Sequence, residues 1–238
     1  MSSVDATGLP EPPWSSLRNR PAQRPQLSRE AIVDAALRIV DAEGLAGLSM
    51  RRLAQELGSH ASALYSHVSG KSELLQLLID RVAGEIEVPD PDPAHWQEQV
   101  KDVARAMHRA LAAHRDLAWA SLANIPTGPN AVVVIDRLLA ILRAARLPRQ
   151  VIAYAADLLP QYVTAAAYEG SLFQQRMDAE PGYFDELFAY FRSLPADRLP
   201  HLAELVEELM APDEEPDARF EFGLDLIVRG LAAFAVTA

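Results

Sequence analysis

From Ser28 onward the apolar positions recur at helical spacing, and no alternating pattern long enough for a strand interrupts them. Ile32, Ala35, Ala36, Ile39 and Val40 share one face of a first helix, with Ser28 as its N-cap and Gly44 as a left-handed end. Leu48 and Ser49 supply a staple and a cap for a second helix through Leu53, Ala54 and Leu57, closed by Gly58. A short helix from about His60 to His67 follows, then Gly70 and a longer helix through Leu74, Leu75, Leu78 and Val82. The prolines of Val88 to Pro93 break this pattern and mark the expected domain boundary. Beyond it the periodicity predicts helices over Trp96–His114, Asp116–Asn124, Asn130–Arg146, 148–177 with a kink at Pro160, 183–192, 199–210 and Ala218 to about Val236. The pattern is helical throughout with no sheet, an all-α fold. It divides into an arm over 1–26, a head over 27–84 and a larger helical body over 85–238.

Composition narrows the class. The 238 residues are half apolar and 23% charged, as in ordinary globular chains. No stretch approaches the ~18 uninterrupted apolar residues of a membrane span, and the N-terminus lacks the basic head and apolar core of a secretion signal. The expected location is therefore the cytoplasm. With no cysteine, disulfides, thiolate metal sites and cysteine nucleophiles are excluded. Residues 1–26 carry five prolines with little apolar content and end in Arg18, Arg20 and Arg24, which reads as an extended arm able to enter a minor groove or merely to aid solubility.

Net charge first argues against a nucleic-acid partner, since the chain totals -11. Its distribution reverses the argument. Residues 1–83 hold 9 basic and 9 acidic side chains, net zero, and the remaining 13 basic and 24 acidic ones give the body all of the -11. The head is thus free to face phosphate. Two short helices joined at Gly58 make a helix-turn-helix the leading reading of residues 49–67, and a plain helical bundle with a solvated basic face the alternative. His60, Ala61, Ser62 and Ala63 open the second short helix with polar tips and small side chains. Arg51, Arg52, Tyr65, Ser66, His67 and Lys71 surround it, the cations suited to phosphate.

The run LSREAIVDAALRIVDAEGLAGLSMRRLAQELG followed by ALYSHVSGKSELL resembles the N-terminal domain of the TetR family of bacterial transcriptional repressors, from Leu27 to about Val82. The resemblance implies that Arg51, Tyr65, His67 and Lys71 bind operator backbone and that His60, Ala61, Ser62 and Ala63 read bases. AHRD at 113–116, Pro126-Thr127 and FEFGLDLIVRGL at 220–231 are similar to the tetracycline repressors within that family. By that likeness Val103, Met107, Ser121, Ile125, Arg137, Tyr162 and Glu169 fall at or near effector positions. Ser121 stands where those repressors carry a histidine for a drug–magnesium chelate, and a serine hydroxyl is a far weaker divalent ligand. The expected effector is accordingly a largely apolar or aromatic molecule with one or two polar handles, with no metal and no cofactor.

The resemblance also implies a homodimer. Tyr154 and Leu158 on one long helix and Phe220, Leu224, Ile227 and Leu231 on the last are its expected interface, with internal core as the other reading of the last stripe, and paired heads would meet a palindromic operator one helical turn apart. Two other readings remain. One is a ligand-binding or adaptor module of the same fold without DNA binding. The other is an enzyme, against which stand six histidines with no metal-ligand spacing and the lack of any Gly-rich phosphate loop or nucleophile elbow.

Overall fold

The computed structural model describes residues 27–122, 124–210 and 217–235; the expected arm over 1–26 lies outside them. These residues form eleven helices and no strand. Ser28 and Ser49 cap the first two helices as expected, accepting the backbone N–H of Ala31 and of Arg52, each at 3.1 Å. α1 spans Arg29–Gly47 but breaks at Gly44, whose φ of 73° and ψ of 173° lie outside the helical region, so one further turn follows the predicted stop. α2 is Met50–Glu56 and α3 only Ala61–Leu64, shorter than the pattern predicted. Gly58, at φ 58°, makes the left-handed turn between them.

α4 (Lys71–Ala83) runs from the head into the body. The body comprises α5 (Trp96–Ala112), α6 (Leu117–Leu122), α7 (Pro129–Ala144), α8 (Arg149–Ala179), α9 (Tyr183–Arg192), α10 (Pro200–Met210) and α11 (Ala218–Ala232). Pro160 lies inside α8, which continues as one element of 31 residues.

Two clusters of buried side chains hold the chain together. The first joins α1, α2, α3 and α4 to Ala110, Leu111, Leu117, Ala118, Ala120 and Ala167, so head and body share a core across the VPDPDP segment. Leu48, Leu53, Leu64 and Leu78 are fully enclosed in it. The second gathers α5, α7, α8 and α11 around Val103, Leu142, Leu159 and Leu224. Met107 packs against both.

α11 is bound to its neighbours by polar contacts as well. Arg105 forms a bidentate pair with Glu221 at 2.7 and 2.8 Å, and Lys101 reaches Asp225 at 2.8 Å. Arg105 holds the Glu221 carboxyl below its usual range, and Lys101 does the same to Asp225. Phe220 is stacked on His108 at 4.4 Å and on Tyr162 at 5.7 Å between ring centres.

Candidate DNA-binding face and effector-binding body

The head presents its predicted DNA contacts on or near the surface. Arg51, His60, Ser62, Tyr65 and Lys71 are exposed, while Ala61, Ala63 and His67 are half-buried. Leu64 beneath them is fully enclosed and fixes the short helix to the core. Tyr65 is 55% exposed, unusual for an aromatic ring in so small a unit and suited to a phosphate or sugar contact. Arg52 differs from its neighbour. Its guanidinium pairs with Glu43 at 2.7 Å and with Glu56 at 2.9 Å, and these carboxylates raise its proton affinity. It braces α1 against α2, a correction to the expectation that it stands free for phosphate.

Lys71 sits at the first position of α4 and its Nζ donates to the Leu45 carbonyl at 3.1 Å. Glu73 accepts both the N–H and the Oγ–H of Ser69, at 2.7 and 2.8 Å, and pairs with Arg29. Ser69 is the larger cause of the lowered Glu73 pKa. The α4 entry is thereby fixed, with Lys71 exposed at its first position. On the body side, His114 stands between Asp41 at 3.0 Å and Glu85 at 3.2 Å. Asp116 accepts the Leu45 N–H at 2.9 Å and the Gln175 Nε2–H at 3.1 Å, joining the end of α1 to α8.

The predicted effector residues have different surroundings. Val103 is buried core, Met107 is partly buried, and Ile125 is 79% exposed on the α6–α7 loop. The Ser121 hydroxyl donates to the Leu117 carbonyl at 2.9 Å, turned back on its own helix. Arg137 donates to the Val88 carbonyl at 3.1 Å, and Glu169 is exposed on α8. Tyr162 donates to the Phe220 carbonyl at 2.8 Å. An open cleft of about 300 Å³ is lined by Glu85, Glu87, Ala106, Arg109, Ala110 and Ala113, none of them predicted. Apolar surface missed in the sequence lies on α6 and toward the end of α8. Trp119 is half-exposed against Tyr168, and Leu122, Leu172 and Met177 on the same two helices are exposed.

The expected dimer residues separate by face. Tyr154 and Leu158 are exposed on α8. Phe220, Leu224 and Leu231 are buried within the chain and Ile227 partly so, because this stripe of α11 packs on α5 and α8. The surface of α11 is the other stripe, with Phe222 at 68% and Leu226 at 55% exposed, and Phe234 just beyond the helix end is 57% exposed. Apolar residues one turn apart on the second face of an already amphipathic helix were the available signal.

Comparison with known proteins decides the family. The model described as "Tetracyclin repressor-like, C-terminal domain" matches residues 88–235, and that of "Bacterial regulatory proteins, tetR family" matches 32–78. This chain belongs to the TetR family of transcriptional regulators. It is similar to the HTH-type transcriptional repressor DrrR1 of Streptomyces coeruleorubidus, 35% identical over 92% of this chain and 82% of that one. It is 31% identical to the class C tetracycline repressor protein of Escherichia coli over 89% of this chain and 94% of the relative. Among solved structures, apo ActR from Streptomyces coelicolor aligns with a TM-score of 0.80 at 44% identity, covering 88% of this chain and 96% of ActR. ActR in complex with actinorhodin aligns at 0.81, covering 89% and 98%. The chain is a ligand-responsive, DNA-binding repressor and not an enzyme. Among the described residues no helix is long and apolar enough to cross a membrane.

Proposed function

We propose that two copies of this chain pair through α8 and α11 and hold two heads against a palindromic operator in the cytoplasm. Residues 27–84 act as the DNA-binding unit and 85–238 as the effector and dimer unit. Arg51, Tyr65, His67 and Lys71 hold the operator backbone, and the opening of α3, His60 to Ala63, faces the bases. One observation carries the DNA reading: Arg51, Tyr65 and Lys71 are exposed around α3, while Arg52 is neutralised by Glu43 and Glu56. For the pairing, Tyr154, Leu158, Phe222, Leu226 and Phe234 supply the exposed apolar surface that a two-fold interface needs.

The effector is read as largely apolar or aromatic with few polar handles, taken up beside α6, α7 and α8 near Trp119, Ser121 and Ile125. The exposed Trp119, Leu122 and Ile125 support this, together with the 44% identity to ActR, which has been seen with actinorhodin and with (S)-DNPA. Effector binding tilts α4 and changes the separation of the heads. Selection of bound DNA from a random pool, followed by mobility shift with and without actinorhodin, tests the reading. A palindrome bound by two chains and released by actinorhodin is the expected result; absence of DNA binding would favour the adaptor alternative.

A further inference from the structure

The first turn of α7 is capped from another helix. Its N-cap position is Gly128 and its first residue Pro129, so no local side chain satisfies the amide groups of that turn. The acceptor comes from α4. Asp80 Oδ1 takes the Ala131 N–H at 3.0 Å, its Oδ2 takes the Asn130 side-chain N–H at 3.3 Å, and Asn130 also donates to the Asp80 backbone carbonyl at 3.1 Å. Asp80 is only 9% exposed, between the buried side chains of Ile79 and Val82. A carboxylate in that setting is costly without partners and favourable beside the positive end of a helix.

Gly128 is required here for space rather than for backbone freedom. Its φ is -72°, which any residue adopts, but a Cβ would lie 2.2 Å from Asp80 Cγ. One turn earlier on α4, Gln76 Nε2 donates to Asn124 Oδ1 at 2.9 Å, and Asn124 Nδ2 donates to the Ala120 carbonyl at 2.6 Å. The loop joining α6 to α7 is therefore clipped to α4 at both of its ends, by residues four apart on one face. The same helix carries Lys71 at its DNA-facing end. A serine or aspartate at position 128 would complete α7 by itself; with the acceptor supplied by α4, the turn is complete only while α4 keeps its place.

We propose that Asp80 is the positioning residue through which the effector-binding body sets the angle of the DNA-binding head, with Gly128 as the gap that admits its carboxylate. Displacement of the α6–α7 loop must carry α4 with it or leave a buried carboxylate and the Ala131 amide unpaired. This rests on the tilting of α4 put forward above.

The test uses the full chain as wild type, Asp80→Asn, Gly128→Ala and the double variant. Each is titrated with operator DNA selected from a random pool, with and without actinorhodin, and separately with actinorhodin alone. Effector coupling of this kind amounts to roughly 5- to 150-fold in affinity. The release ratio is expected to fall at least about fivefold in either single variant, with no further loss in the double, while actinorhodin affinity stays within about twofold of wild type. An unchanged release ratio in single variants that melt at lower temperature overturns the proposal and leaves Asp80 a helix cap.

A second arm needs no effector, so that failure of actinorhodin to act on the wild type counts only against the effector reading. The chain has no cysteine, and Ala42→Cys with Gln150→Cys places spin labels on α1 and α8. Co-expressed with excess unlabelled chain, the labelled protein is expected to show a broader or shifted distance distribution once Asp80→Asn or Gly128→Ala is added. A distribution identical to that of the parent overturns the proposal.

Discussion

Lys71 holds the Leu45 carbonyl and is exposed beside α3, so its ammonium can keep one backbone partner while meeting a phosphate. Lys71→Ala is expected to weaken binding to all sequences alike, and to lower the slope of log affinity against log salt by about 0.9 for each phosphate that the lysine neutralises. Unchanged slope in a salt titration would remove Lys71 from the interface. Gly44 is a second sensitive position. At φ 73° it lies where side chains are strained, and a Cβ there would stand 2.6 Å from Asp116 Oδ2. Gly44→Ala should destabilise the fold by about 1–3 kcal/mol in denaturant titration. His108 gives a pH-dependent case. Burial against Phe220 lowers its proton affinity, so below the ordinary histidine value of ~6.5 the unfolded chain binds the proton more readily than the native one. Its contribution to stability is present above that value and declines as pH falls through it. Wild type should lose Tm between about pH 7 and 5 more steeply than His108→Phe; parallel curves would contradict this. At this scale the sequence was least informative. Asp80 stands in α4 like any helical carboxylate, and only the approach of α7, distant in the chain, makes it a buried cap. Gly128 shows nothing in sequence beyond a glycine before a proline.

Helix positions were legible because their signals are local. Ser28, Ser49 and Gly58 each act within a few residues, and α1, α2 and α5 begin within a residue or two of where caps and periodicity put them. Rotation about the axis was not legible for α11, which is apolar on two faces. Spacing puts Phe220, Leu224 and Leu231 on one stripe and resemblance directs it to a partner, whereas Arg105, Lys101 and Tyr162 turn that stripe inward. The two faces make opposite predictions. Phe222→Glu with Leu226→Glu should leave helix content near wild type and yield a monomer by light scattering. Leu224→Ala, in a fully enclosed site, should cost about 2–5 kcal/mol in stability. A Phe222→Glu, Leu226→Glu protein that remains dimeric would exclude this stripe from the interface.

Over the whole molecule, the -11 charge resolves into an acidic body and an arm and head that together have zero net charge. Pairing Arg52 internally leaves few free cations around α3 among the described residues, which implies weak nonspecific binding and dependence on operator fit. The shared buried cluster between head and body, with the tethers at Asp80, His114 and Asp116, means that a movement in one part cannot leave the other unaffected. That continuity was hidden from the sequence, where the proline run suggested a clean division. The most direct measurement is therefore the affinity of the full chain for its selected operator at fixed salt, taken across increasing actinorhodin. The account predicts a complex of two chains on a palindrome whose affinity falls as actinorhodin saturates, with the reciprocal loss of actinorhodin affinity in the presence of operator. Simultaneous binding of both ligands with no mutual weakening would contradict it.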